Sequence, residues 1–197
     1  MSFLWSFVIL TLRQPGAAAG NILLRQWPAE AVWTGLLLAI ALNVLFFSSV
    51  SLFFPLEGDL VTLNLMPDSM GISIFTAAIR SVGFAAVLTL GGRWLGGTAS
   101  FMPMLSLLVW HQLVQIIALL AVILIMAFSP SLGALFALLV GVVLFFVLLN
   151  FVNEAHGFAS LWRAFAVIVM ATILMFFAMI FVVGLIGPDY LGLPENV

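Results

Sequence analysis

The chain has no cysteine, no lysine and very little charge of either sign. Without cysteine there is no disulfide framework, no thiolate metal site and no thiol chemistry. All five basic residues are arginine, which keeps its proton in any surroundings. Charged residues make up 6% of the 197 positions, where a soluble domain carries about 25%. A net charge of −2 with no basic run excludes nucleic acid as a partner. What fills the chain instead is apolar: 65% of it is hydrophobic. No soluble fold hides that much apolar surface with so few charges, so lipid is the solvent for most of the molecule.

Apolar stretches run at about 29–54, 70–91, 101–127, 131–152 and 161–186. Each approaches or exceeds the roughly 20 residues that cross a bilayer as helix. Pro15, Pro28, Pro55, Pro67, Pro103, Pro130, Pro188 and Pro194 all fall outside these stretches or in a first turn, where a missing N–H costs nothing. The expectation is an all-α polytopic membrane protein: a bundle of five transmembrane helices (29–187) and a short external tail (188–197). The alternative is a re-entrant hairpin for the third and fourth stretches, which their length disfavours. With no internal repeat visible, a transporter built from inverted halves is not expected.

The first 28 residues form a separate segment. FLWSFVILTL (3–12) precedes Arg13 and PGAAAG (15–20). A secretory signal would carry its positive charge before the apolar run, and here it comes after. Residues 3–26 are therefore expected to form short interfacial amphipathic helices, retained at the membrane surface, with a cleaved signal as the alternative. Arg13, Arg25, Arg93 and Arg163 cluster on one side of the predicted topology, with Trp27, Trp33, Trp94 and Trp162 near the same interface. Glu57, Asp59, Asp68, Asp189 and Glu195 lie on the other. That asymmetry places the N-terminus in the cytoplasm and the C-terminus outside.

Arg80 breaks the pattern by standing inside the second span, roughly 15–18 Å from either end. Asn43 and His111 fall at about the same depth, with Gln112 and Gln115 slightly further out. Together they form a candidate midplane polar layer. Ser73, Thr76, Ala77 and Arg80 share a stripe at helical spacing, and so, on this reading, do His111, Gln112 and Gln115. Facing stripes would let Arg80 donate to glutamine carbonyls and to a neutral His111 nitrogen. No acid occupies a span at that depth. Two readings compete: hydrogen-bonded glue between helices, or a polar cavity for a lipid headgroup, a small anion or a proton. The missing acid and the narrowness of the layer favour glue.

Other patterns are weaker. Gly133, Ala137 and Gly141 form a candidate helix-packing stripe, read as packing within the monomer rather than as a dimer contact. Asn150, Asn153, Glu154 and His156 gather in NFVNEAHGF (150–158), expected to be a solvated loop before a helix start near Ser160. GGRWLGG (91–97) lacks the spacing of a phosphate loop and is expected to be a flexible elbow. There is no HExxH, no GxSxG and no Ser/His pair with a third orienting group. No catalytic residue, cofactor or metal is expected, and the protein is read as not an enzyme.

Three segments carry a family likeness: RQWPAEAVW (25–33), LGGRWLGGTASFMPMLSLLVWHQLVQ (90–115) and EAHGFASLWRAFAVI (154–168). In these, and in its five-span layout, the chain resembles the Yip family of Ypt/Rab-interacting membrane proteins, particularly its bacterial branch. The resemblance implies an integral protein of the bacterial plasma (inner) membrane with no assigned catalysis. The acidic-aromatic N-terminal motif of eukaryotic members is absent, so Rab binding does not carry over. The expected role is that of an adaptor, assembly partner or membrane organiser, working through contacts with membrane lipid, other membrane proteins or further copies of itself. The alternative is a small carrier or channel for an anion, proton or lipid, using Asn43, Arg80, His111 and Gln115.

Overall fold

The computed structural model describes residues 3–53 and 70–186. They form seven helices: α1 (Phe3–Arg13), α2 (Pro15–Leu24), α3 (Ala29–Phe53), α4 (Met70–Trp94), α5 (Phe101–Phe128), α6 (Pro130–His156) and α7 (Leu161–Ile186). The expected acidic loop between the first two spans and the tail at 188–197 lie outside the described residues.

The last five helices are each long and apolar enough to cross a membrane. α5 and α6, with 28 and 27 residues, are each about 40 Å long at 1.5 Å per residue, which favours two crossings over a re-entrant hairpin. A single residue joins them. Ser129 is extended (φ −154°, ψ 109°), Pro130 opens α6, and the Ser129 hydroxyl accepts from the Leu132 N–H at 3.5 Å. So short a connection forces close approach: a Cβ on Gly133 would lie 2.6 Å from the Met126 Cα. Further along, Ala137 is half-buried, and Gly141 is exposed with open space where a Cβ would stand. The small-residue stripe is therefore divided, and Gly133 serves the α5–α6 hairpin.

The interior is built from small and medium side chains. Val32, Leu36, Ile40 and Val44 recur every fourth residue on α3 and enter one core with Ala85 and Leu88 of α4 and Ala164, Val167 and Ala171 of α7. Helices associate in lipid by close packing, because lipid tails are as apolar as leucine. The large apolar residues accordingly point outward: Leu138 is 71% exposed, Phe128 92% and Phe177 62%. The bundle has the inverted exterior of a membrane protein.

α1 and α2 are nearly continuous, broken at Gln14 (φ −140°, ψ 66°) ahead of Pro15. Ala18, Ala19 and Ile22 of α2 pack on Leu107, Val147 and Phe151. Val8 of α1 packs on Val114 and Leu144. Trp110 anchors the pair: its ring lies 4.9 Å from Phe7, and its Nε1–H donates to the Thr11 hydroxyl at 2.9 Å. Thr11 is fully buried and donates in turn to the Phe7 carbonyl. The two expected short N-terminal helices pack lengthwise on α5 and α6, Val8 meeting Val114 about 20 Å along α5 from Phe101.

Gly133→Ala should lower stability by about 1–3 kcal/mol through overpacking, whereas Gly141→Ala, at an open helix-interior position, should raise it by about 0.5–1 kcal/mol. Thermal melting of the two detergent-solubilised variants checks this, and equal melting temperatures would contradict the assignment of Gly133.

Candidate functional site

The midplane polar residues do not converge. Asn43 Nδ2 donates to the Ala39 carbonyl of its own helix at 2.9 Å. His111 lies 3.0 Å through Nε2 from the Leu144 carbonyl of α6. A carbonyl only accepts, so Nε2 carries the proton. Its ring also meets Phe151 edge-on, with centroids 6.3 Å apart. Gln112 turns to α4, donating from Nε2 to the Ser81 hydroxyl at 3.0 Å. Gln115 is half-buried.

Arg80 is exposed on the side of α4, with no hydrogen-bond or ion-pair partner among the described residues. The expected donation from Arg80 to the glutamines and His111 is therefore not seen. The reason is angular. Successive helical residues are separated by about 100°, so Ser81 takes the face toward α5 while Arg80 turns outward. The same rotation sends Gln112 to α4 and His111 to α6.

A second polar centre, at one end of the bundle, is assembled from segments that read as loops in the sequence. α4 ends in a Schellman motif: Gly96 is left-handed (φ 87°), its N–H donates to Arg93 O, and Gly97 N–H donates to Gly92 O at 2.8 Å. α6 ends the same way, with Gly157 left-handed (φ 63°), its N–H on Glu154 O and the Phe158 N–H on Asn153 O. His156 stands between these caps, 1% exposed. Its Nδ1 accepts from the Ala99 N–H at 3.3 Å, and its Nε2 lies 3.1 Å from the Leu88 carbonyl. An acceptor Nδ1 and a donor Nε2 define one neutral tautomer.

The surroundings close on that ring. Phe158 stacks on it at 4.9 Å and 17°. A Cβ at Gly92 or Gly97 would overlap it. The His156 carbonyl accepts from both the N–H and the hydroxyl of Thr98, at 3.2 and 3.3 Å. Three residues earlier, Asn153 Oδ1 accepts the Ser160 N–H at 2.9 Å, just before α7 begins. Neither the solvated loop expected at 150–158 nor the flexible elbow expected at 91–97 is found. The glycines are there because an imidazole fills the space a side chain would need. The sequence signal was available in two glycine pairs flanking a helix end and in a His-Gly at another.

With both nitrogens engaged, His156 is neither a free base nor a ligand. Among the described residues no group of three His, Cys, Asp or Glu could hold a metal. Exposed Trp27, Trp94 and Trp162 ring this end beside Arg25, Arg93 and Arg163, as at a membrane interface. Arg25 lies 5.7 Å from the Trp27 ring centre. An open recess of about 400 Å³ lies here between Ile22, Trp27, Ser100, Pro103 and Ala155. A second, apolar hollow follows the surface of α7 between Trp162 and Leu174.

Compared with known proteins, residues 9–182 match the Yip1 domain, a stretch reaching from the middle of α1 into the last turns of α7. No curated protein and no solved structure matches the chain.

His156→Ala would remove the partners of Leu88 O and Ala99 N–H and leave a void, a loss of about 2–5 kcal/mol. Glu154→Gln, at an exposed neighbour, should stay within about 0.5 kcal/mol of the parent. Scanning fluorimetry in one detergent compares them, and an unperturbed His156→Ala would contradict the role of the imidazole.

Proposed function

The chain belongs to the Yip1 domain family of multi-span membrane proteins, and on that premise we propose that it is a non-enzymatic organiser of the bilayer. It works by lateral contacts with lipid and with other membrane helices rather than by moving a solute. One observation carries this reading. Asn43 is engaged with a carbonyl of its own helix, His111 with one of α6, and Gln112 with Ser81 of α4, so the polar groups that a carrier would line up along a path are turned apart. The two interhelical bonds, from His111 and Gln112, each contribute about 0.6–2 kcal/mol to helix association in lipid, which makes these residues part of the scaffold. The large apolar side chains stand on the outside, where contacts with lipid and partner helices are made.

The membrane we propose is the bacterial plasma membrane, with the N-terminus cytoplasmic and the C-terminus external. Support comes from the likeness to bacterial members and from Arg25, Arg93 and Arg163 gathered at one end.

In proteoliposomes carrying a pH- or chloride-sensitive dye, the protein should give no flux above that of empty vesicles, and energy transfer between labelled copies or to labelled lipid should report lateral association. Flux abolished by His111→Ala would overturn the reading in favour of a carrier. Reporters fused to the two ends in bacterial cells should respond from opposite compartments, and a common compartment would refute the orientation.

A further inference from the structure

Arg80 is a permanent cation inside a membrane span, and the fold turns it away from every polar group of the interior. We propose that it is the ligand of an anionic lipid phosphate, in the leaflet that faces the N-terminal end of α4. The inference rests on the lateral-contact reading above and gives one of those contacts its chemistry.

Depth comes first. α4 runs Met70–Trp94, so Arg80 lies about 15 Å from its nearer end at 1.5 Å per residue. Helical side chains lean toward the helix N-terminus, which for α4 is that nearer end. An extended arginine covers roughly 6 Å of the distance by snorkelling along its own methylenes. The remaining distance is closed from the lipid side, because a charge at this depth thins the bilayer locally and draws headgroup oxygens and water inward. The planar fork of N–H donors on the guanidinium suits a phosphate oxyanion better than an ammonium would.

The surface around it is consistent with a lipid occupant. Phe75 and Ile79, on the adjoining face, are 66% and 56% exposed, bulky enough to receive acyl chains beside the headgroup. A second copy of this chain is a poor alternative, because the acids of the sequence (Glu30, Glu57, Asp59, Asp68, Glu154, Asp189 and Glu195) all lie outside the middle of a span. Self-association would bring Arg80 no carboxylate at its own depth.

The test uses the full chain in detergent, titrated with phosphatidylglycerol or phosphatidylcholine and read by native mass spectrometry. The parent should bind phosphatidylglycerol about fivefold more tightly, the preference expected from one arginine near an anionic headgroup. Arg80→Gln should abolish the preference, Arg80→Lys should keep part of it, and Arg93→Gln should leave it intact. Circular dichroism confirms that each variant is folded. Should Arg80→Gln not fold, the Arg80→Lys and parent titrations still decide: no preference in the parent, or an undiminished one in Arg80→Lys, overturns the proposal. So does a preference that survives Arg80→Gln, or one that Arg93→Gln removes equally. An Arg80-dependent association with another membrane protein, with no lipid preference, would assign the cation to a carboxylate on a partner helix and overturn it as well. The result is separable from the flux measurement: solute flux would refute the organising role while leaving the lipid preference standing.

Discussion

The insertion of one imidazole into the glycine-lined end of a neighbouring helix holds the inner architecture of this protein together. Five rods in lipid feel little hydrophobic pull toward one another, so their relative heights and rotations must be set by directional contacts. His156 supplies two, reaching Leu88 of α4 and the backbone just before α5, while its own carbonyl takes Thr98. Two helix-to-helix turns that are 57 residues apart from Ala99 to His156 are thereby clasped. A side chain at Gly92 or Gly97, at the α4 end, would expel the ring. Backbone groups at these helix ends find partners within the protein, which is what a chain in a low-dielectric medium requires.

Away from that clasp, the bundle relies on closeness. Alanines at 85, 164 and 171 are fully buried, so the helices approach until their backbones nearly touch, and dispersion across these contacts replaces the water-driven collapse of a soluble core. Hydroxyl groups are folded back onto their own helices: Thr89 donates to Ala85 O and Thr172 to Ile168 O. The polar character of the spans is mostly internal to each helix, and Gln112–Ser81 is a case in which it bridges two side chains.

What the sequence made legible follows from length and composition. Five apolar runs, and prolines confined to their edges, located the long helices to within a few residues, because the thickness of hydrocarbon leaves little freedom. Rotation about each helix axis was not legible. Hydropathy cannot tell which side of an all-apolar rod faces its neighbours, so His111 and Gln112 were placed on one face although they point to different helices. The packing of the N-terminal pair was not legible for a related reason. The pair's affinity for the bundle depends on Trp110 finding Thr11 and on alanines fitting Phe151, both matters of shape rather than of pattern. NFVNEAHGF looked solvated because it is rich in polar residues, yet those residues are consumed in capping α6 and leading into α7.

The one-residue joint at Ser129 constrains how the protein is made. From Arg93 to Glu154 there is no charged side chain, and at its centre the chain reverses with nothing more than a serine and a proline at the bend. α5 and α6 are thus a single unit of partitioning during biosynthesis: the hairpin can leave the translocation machinery sideways as a preassembled pair. Only the polar atoms of one short bend have to traverse the hydrocarbon, and the carbonyl of Leu144 waits on the returning arm to receive the imidazole of His111.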